Sequence, residues 1–248
     1  MKGMAKRRED AEASKVDLRA VVAAGHAALK AHAAKIDALN IYPVPDGDTG
    51  TNMLLTLQSV LDEVSASPDL KGAEAAKVVS RAALMGARGN SGVILSQILR
   101  GACEVLGDTW TLEAETLAQA FVRAQERAYA AVRSPAEGTM LSVIKDASAA
   151  ARACVERGER DPLEILGVAT LEAHASVKRT PELLGILKEA GVVDAGGLGV
   201  AVILDGLLAS LSDSEPVQDL EEAEPAAGGG PTAQDRGAFS AGSVGLLY

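Results

Sequence analysis

Asn40-Ile41-Tyr42-Pro43-Val44-Pro45-Asp46-Gly47-Asp48-Thr49-Gly50-Thr51-Asn52 ends one helical pattern and starts another. Upstream, from about Val16 to Leu39, the positions Val21, Ala24, Ala28, Leu29, His32 and Ile36 recur at helical spacing. Pro43 and Pro45 then remove backbone donors and push the residues before them toward extended geometry, so the first helix stops ahead of them. A second helix opens near Thr49–Thr51 and runs through Val64. Two long helices joined by a short stiff break are antiparallel neighbours.

The same pattern extends outward from this pair. Helical stretches are expected at roughly 73–87, 91–106, 111–132, 138–157, 162–178, 181–190 and 197–212. The connections are short, at Gly107-Asp108, Ser134-Pro135, Asp161-Pro162 and Thr180-Pro181. Composition agrees, because aromatics are only 2% of 248 residues and the 48% hydrophobic content is mostly Ala, Leu and Val. Alanine loses no side-chain entropy in a helix and lets helices approach closely, whereas strands need β-branched and aromatic residues. The expected fold is all-α, an antiparallel up-and-down bundle or ring spanning 15–212. Residues 1–14 read as a disordered charged extension, and 213–248 as a flexible acidic Gly/Pro-rich linker toward a region outside this chain.

A net charge of −10 and a pI near 4.9 disfavour nucleic acid as a partner. Cys103 and Cys154 form neither a disulfide framework nor a zinc pattern, and read as reduced thiols of a cytoplasmic protein. The basic start Lys2, Lys6, Arg7, Arg8 runs into Glu9 and Asp10 instead of an apolar core, so it is no signal peptide. Gly199 to Leu211 is broken by Asp205 and too short to span a bilayer, so no membrane insertion is expected.

An acidic protein that binds an anion needs a metal or backbone donors, and the opening stretch offers both. Asp46 and Asp48 are two apart, which in extended backbone places their carboxylates on one side. Hard oxygen ligands that close suit Mg²⁺, which takes one or two carboxylates and completes its shell with phosphates. Thr49, Thr51 and Asn52 open a helix whose free amides can receive phosphate oxygens. The plain alternative is a turn with a helix cap. An EF-hand is excluded, since its remaining ligands and closing Glu are missing.

Gly86-Ala87-Arg88-Gly89-Asn90-Ser91-Gly92 is a second Gly-rich helix start in which Arg88, Asn90, Ser91 and Gly92 suit a phosphate; a helix–helix corner accounts for it equally well. Glu137-Gly138-Thr139-Met140 and Val193-Asp194-Ala195-Gly196-Gly197-Leu198-Gly199 are two further helix openings. Thr139 and Met140 could contact a base. Neither G-x-x-x-x-G-K-[ST] nor a G-x-G-x-x-G after a strand occurs, so any nucleotide would be held by a different fold. His26, His32 and His174 share no metal-like spacing, and no nucleophile–base arrangement supports hydrolase chemistry.

Taken in order, Asn40 to Met53, Met85 to Gln97, Glu137-Gly138-Thr139 and Gly191 to Gly197 closely resemble the N-terminal nucleotide-binding domain of bacterial fatty acid kinase, a relative of the ATP-binding subunit of dihydroxyacetone kinase. The resemblance covers about residues 16 to 212. It implies an eight-helix antiparallel barrel holding ATP or ADP and two Mg²⁺ at one rim. It assigns the metal to Asp46 and Asp48, which would carry the catalysis, and to a third acidic position, most simply Asp37, with Asn40 nearer the loop. It sets Thr51, Asn52, Ser91 and Gly92 at phosphates, and Thr139, Met140, Asp194 and Gly196 near the nucleoside.

The family implies transfer of the γ-phosphoryl group to a fatty acid presented by a fatty-acid-binding carrier protein, through further domains beyond this chain. A homodimer is admitted as a self-association state. A fatty-acid carboxyl arrives ionised and needs no general base, unlike an alcohol. Two alternatives stand beside this: a dihydroxyacetone kinase-type subunit acting on a small ketose, and a non-catalytic nucleotide-holding module. The Pro-Val-Pro insertion and Thr49 in place of that subunit's usual His speak against the former.

Overall fold

A computed structural model of the chain describes residues 17–67, 69–107 and 112–212. Among them are nine helices and no strand: α1 Leu18–Leu39, α2 Thr49–Ala66, α3 Gly72–Gly86, α4 Gly89–Leu106, α5 Ala114–Ala130, α6 Met140–Glu156, α7 Pro162–Leu183, α8 Gly185–Ala190 and α9 Ala195–Leu211. Eight are long, and α8 is a six-residue piece between α7 and α9. The all-α expectation holds. The expected terminal extension, the linker and the expected start of the fifth helix at 111 lie outside the described residues.

Local chemistry sets the ends. The Asp17 carboxylate caps α1 by accepting from the amides of Arg19 at 3.0 Å and Ala20 at 3.1 Å. At α7, Asp161 accepts from the Leu163 amide at 2.9 Å, and Pro162 takes the first-turn position where its missing N–H costs nothing.

α7 corrects the reading that ended a helix at 178 and began another at 181: it runs through Pro181 to Leu183. Proline leaves the carbonyl four residues back without its amide donor. Here the Thr180 hydroxyl donates to that carbonyl, Val177 O, at 2.7 Å. A side chain one residue before the proline thus mends the gap.

Each helix packs on the next, α1 on α2 and so on to α7 on α9, and α9 packs back on α1. The ring is closed. Short connections make successive members antiparallel, so α2, α4, α6 and α9 all start at one rim. α9 also touches α2 and α6, and every residue from Ala195 to Leu204 is buried, as an all-round apolar helix requires. Leu29, Ile36, Met53, Phe121, Ile144 and Leu166 belong to the main core, and Val60, Val64, Val79, Ala83 and Cys103 to a smaller one between α2, α3 and α4. A wholly apolar cavity of about 160 Å³ touches Leu95, Phe121, Ile144, Leu166, Val200 and Leu204. Cys103 and Cys154 are buried free thiols, and no helix among the described residues is long and apolar enough to cross a membrane.

The seam that closes the ring depends on small residues. A methyl on Gly206 would stand 2.6 Å from the Ala24 carbonyl oxygen and 2.9 Å from the Ala28 Cβ. Gly206→Ala is therefore expected to lower stability by about 1–3 kcal/mol, measured by urea denaturation. An unconstrained helical glycine would instead gain about 1 kcal/mol from the same change, so the sign tests the seam.

Candidate functional site

The rim where α2, α4, α6 and α9 begin holds a cleft of about 570 Å³, inside the usual range for small-molecule sites. Four chain segments far apart in sequence form its walls: 40–52, 89–94, 131–141 and 194–196. Of the residues singled out from sequence, Asp46, Asp48, Thr49, Asn52, Asn90, Ser91, Thr139, Met140, Asp194 and Gly196 line it. Thr51, Arg88, Gly92 and Asp37 are absent from the lining.

Asp46 and Asp48 do meet, though not by strand alternation. Gly47 takes φ +67°, a left-handed turn that L side chains avoid, and this turn folds the two carboxylates together. The Asn40 side-chain amide donates to Asp46 Oδ1 at 2.6 Å and fixes its direction. Partial burial, with the Asp46 and Asp37 carboxylates nearby, raises the Asp48 carboxyl above its ordinary range against a hydrogen bond from Asn52. Two acids held this close oppose each other's ionisation, and a divalent cation relieves that opposition.

Asp37 has a different immediate task. Its carboxylate accepts from the Thr51 amide at 3.0 Å and the Thr51 hydroxyl at 2.7 Å, so a side chain of α1 caps α2. Asp37, Asp46 and Asp48 do not close into one set: among the described residues no three His, Cys, Asp or Glu side chains stand at metal-holding spacing. The pair alone satisfies what Mg²⁺ asks of a protein when phosphates supply the rest.

The amides of α2 divide likewise. Thr51 N is held by Asp37 and Asn52 N by the Asp48 carbonyl at 2.8 Å, which leaves those of Thr49 and Gly50. On α4, Gly92 N is bonded to the Arg88 carbonyl at 2.9 Å and Gly92 is packed against Thr56, while Asn90 and Ser91 face the cleft. Arg88 is exposed and donates to its neighbour's carbonyl, Ala87 O, at 3.1 Å.

Asp194 ties two helix starts together. Buried, it caps α9 by accepting from Gly197 N at 2.6 Å, and it also accepts from the Met140 amide at the start of α6. Its own amide donates to Thr180 Oγ1 at 3.0 Å, the hydroxyl that mends the proline gap in α7. Burial pushes its carboxyl up to about 6, against the pull of the two amides.

The wall at 131–139 is braced by Glu137. Its carboxylate accepts from the Tyr129 hydroxyl at 3.0 Å, the Ser142 hydroxyl at 2.6 Å and the Lys145 ammonium at 2.6 Å, and Ser142 Oγ in turn accepts from Gly138 N at 2.8 Å. Lys145 and Ser142 hold the Glu137 carboxyl below its ordinary range. Sequence reasoning passed over this brace, and over Tyr42, Val132 and Arg133 in the lining. The Ser134-Pro135 break marked the connection, but residues beside it gave no periodic signal.

Residues 43–209 match the family model described as the DAK2 domain. Uncharacterized proteins of Staphylococcus aureus strains USA300 and COL are each 46% identical to the chain over 178 residues, 71% of this chain and 32% of theirs. The chain thus spans about a third of the length of these curated relatives. The crystal structure of the dihydroxyacetone kinase from C. freundii in complex with AMP-PNP and Mg²⁺ is similar in fold, with TM-score 0.56 and 19% identity over 78% of this chain and 33% of that one. The native form of that kinase gives TM-score 0.55 and 19% identity over 77% and 34%.

The raised Asp194 carboxyl makes the fold sensitive to pH. Between the ordinary Asp value near 3.8 and about 6 the folded chain holds a proton that the unfolded chain has lost. This contribution to stability is full below the lower value and is lost as pH rises through the upper one. Denaturant titrations of wild type and Asp194→Asn should show their stability difference falling by on the order of 3 kcal/mol from about pH 4 to about pH 7. A difference that stayed flat would remove the buried charge from the account.

Proposed function

The chain belongs to the DAK2 domain family, and on that premise we propose that it is the Mg²⁺-dependent ATP-binding module of a phosphotransferase whose acceptor is a fatty acid presented by a carrier protein. The observation that carries the nucleotide reading is the meeting of four separate helix starts around one paired-aspartate loop in a single cleft. Bound Mg²⁺ would neutralise phosphate charge and bridge its oxygens to the protein.

The residues divide the work. Asp46 and Asp48 hold the ion, Asn40 keeps Asp46 aimed, and Asp37 adds a third negative charge beside them while anchoring α2. Thr49 at the start of α2, with Asn90 and Ser91 on α4, meets phosphate oxygens at helix N-termini, where partial positive charge collects. Met140, Val132 and Ala136 give the nucleoside an apolar wall. Phosphoryl transfer asks for positioning and charge neutralisation, which this arrangement provides.

The acceptor is inferred from what the cleft lacks and from the sequence resemblance to fatty acid kinase. None of His26, His32 and His174 lines it, and Asp194 is committed to two amides. An ionised carboxylate needs no proton removed, whereas a ketose hydroxyl does. Because the match covers only 32% of the relatives' length, we assign acceptor delivery to regions of such proteins outside the matched segment.

Calorimetry of the purified chain with ATP should show binding that requires Mg²⁺. Asp46→Asn should weaken it by about tenfold or more, because an ion–carboxylate contact is lost. Equal ATP affinity with and without Mg²⁺ would overturn the metal role.

A further inference from the structure

Arg133 is the one cation lining the cleft among the described residues. It shares those walls with Asp46, Asp48 and Asp194, yet among the described residues its guanidinium has no ion-pair or hydrogen-bond partner. Arg123 and Arg127 bind Glu104, Arg152 binds Glu156, and Arg179 binds Asp146 and Glu172, so these guanidiniums are committed to carboxylates; Arg133 differs from the other uncommitted arginines in lining the cleft.

The segment that carries it is held in place. Tyr129, four residues before Arg133, and Ser142 and Lys145 after it all converge on Glu137. That brace fixes the backbone from the end of α5 to the start of α6, so the guanidinium hangs from a fixed point. The cleft's carboxylates are already engaged: Asp46 by Asn40, Asp48 by Asn52, and Asp194 by two amides. An unpaired guanidinium on such a wall is available to an anion that enters, and a planar five-donor fork suits phosphate oxygens.

We propose that Arg133 is a phosphate-binding residue that completes the grip on a nucleoside polyphosphate from the wall opened by the α5–α6 connection, so that the cleft discriminates by phosphate number. This rests on the nucleotide reading above. It adds a contact that the ion and the helix amides do not supply.

The test is calorimetric titration of the wild-type chain, Arg133→Ala and Arg133→Lys with MgATP and with AMP. The side chain is exposed, so both variants should melt with wild type. Arg133→Ala should weaken MgATP by about tenfold and AMP by much less, as expected for loss of a charge-assisted contact to the added phosphates. Arg133→Lys should fall between, because it keeps the charge but not the fork. The MgATP loss should shrink as salt rises. Equal MgATP affinity in wild type and Arg133→Ala overturns the inference while leaving the nucleotide reading intact. An equal loss for MgATP and AMP also overturns it, since the side chain would then serve the nucleoside. A wild-type chain that binds neither ligand removes the nucleotide reading itself, and this inference with it.

Discussion

The rest of the molecule depends on one constraint: short connections force alternate helices of a closed ring to start at the same rim. α2, α4, α6 and α9 each bring unsatisfied amides and a partial positive charge to that end. In a chain with net charge −10, this is the place where further negative charge can be accommodated. The protein answers part of that demand itself, with Asp37 on the start of α2 and Asp194 on the starts of α6 and α9. Thr49, Asn90 and Ser91, at the starts of α2 and α4, line the cleft.

The core and the cleft are mechanically joined by few atoms. Thr180 repairs the carbonyl that Pro181 leaves without a donor, and the same hydroxyl receives the Asp194 amide. Asp194 then spans to Met140, which lines the cleft beside Thr139. A break in α7 would therefore be felt at the site two bonds later. Small residues serve the same end along the seams, since Gly206 against Ala24 lets α9 and α1 touch and so closes the ring that aligns the helix starts.

Much of this was legible in the sequence because periodicity and punctuation are local. Helix count, the cleft-forming loops and ten of the residues that line the cleft follow from spacing, proline, glycine and the resemblance. The remainder was set by contacts across the ring. The resemblance assigns the metal to Asp37, while the folded chain also places Thr51 against both its oxygens, a contact that no local pattern announces. Asp46 and Asp48 meet through a left-handed Gly47 and not through an extended strand. The Thr180–Val177 bond defeats the rule that proline ends a helix, and the Glu137 brace joins residues whose partners no short window pairs.

Charge at the rim also bears on the acceptor proposed above. Burial, with neighbouring carboxylates adding to it, raises Asp48, and burial raises Asp194. A general base for an alcohol would have to be drawn from these carboxylates. Asp46 and Asp48 would lose their basicity on binding a cation, and Asp194 would lose its grip on two helices by turning toward a substrate. Under the proposed function, an acceptor that arrives already ionised would avoid both conflicts.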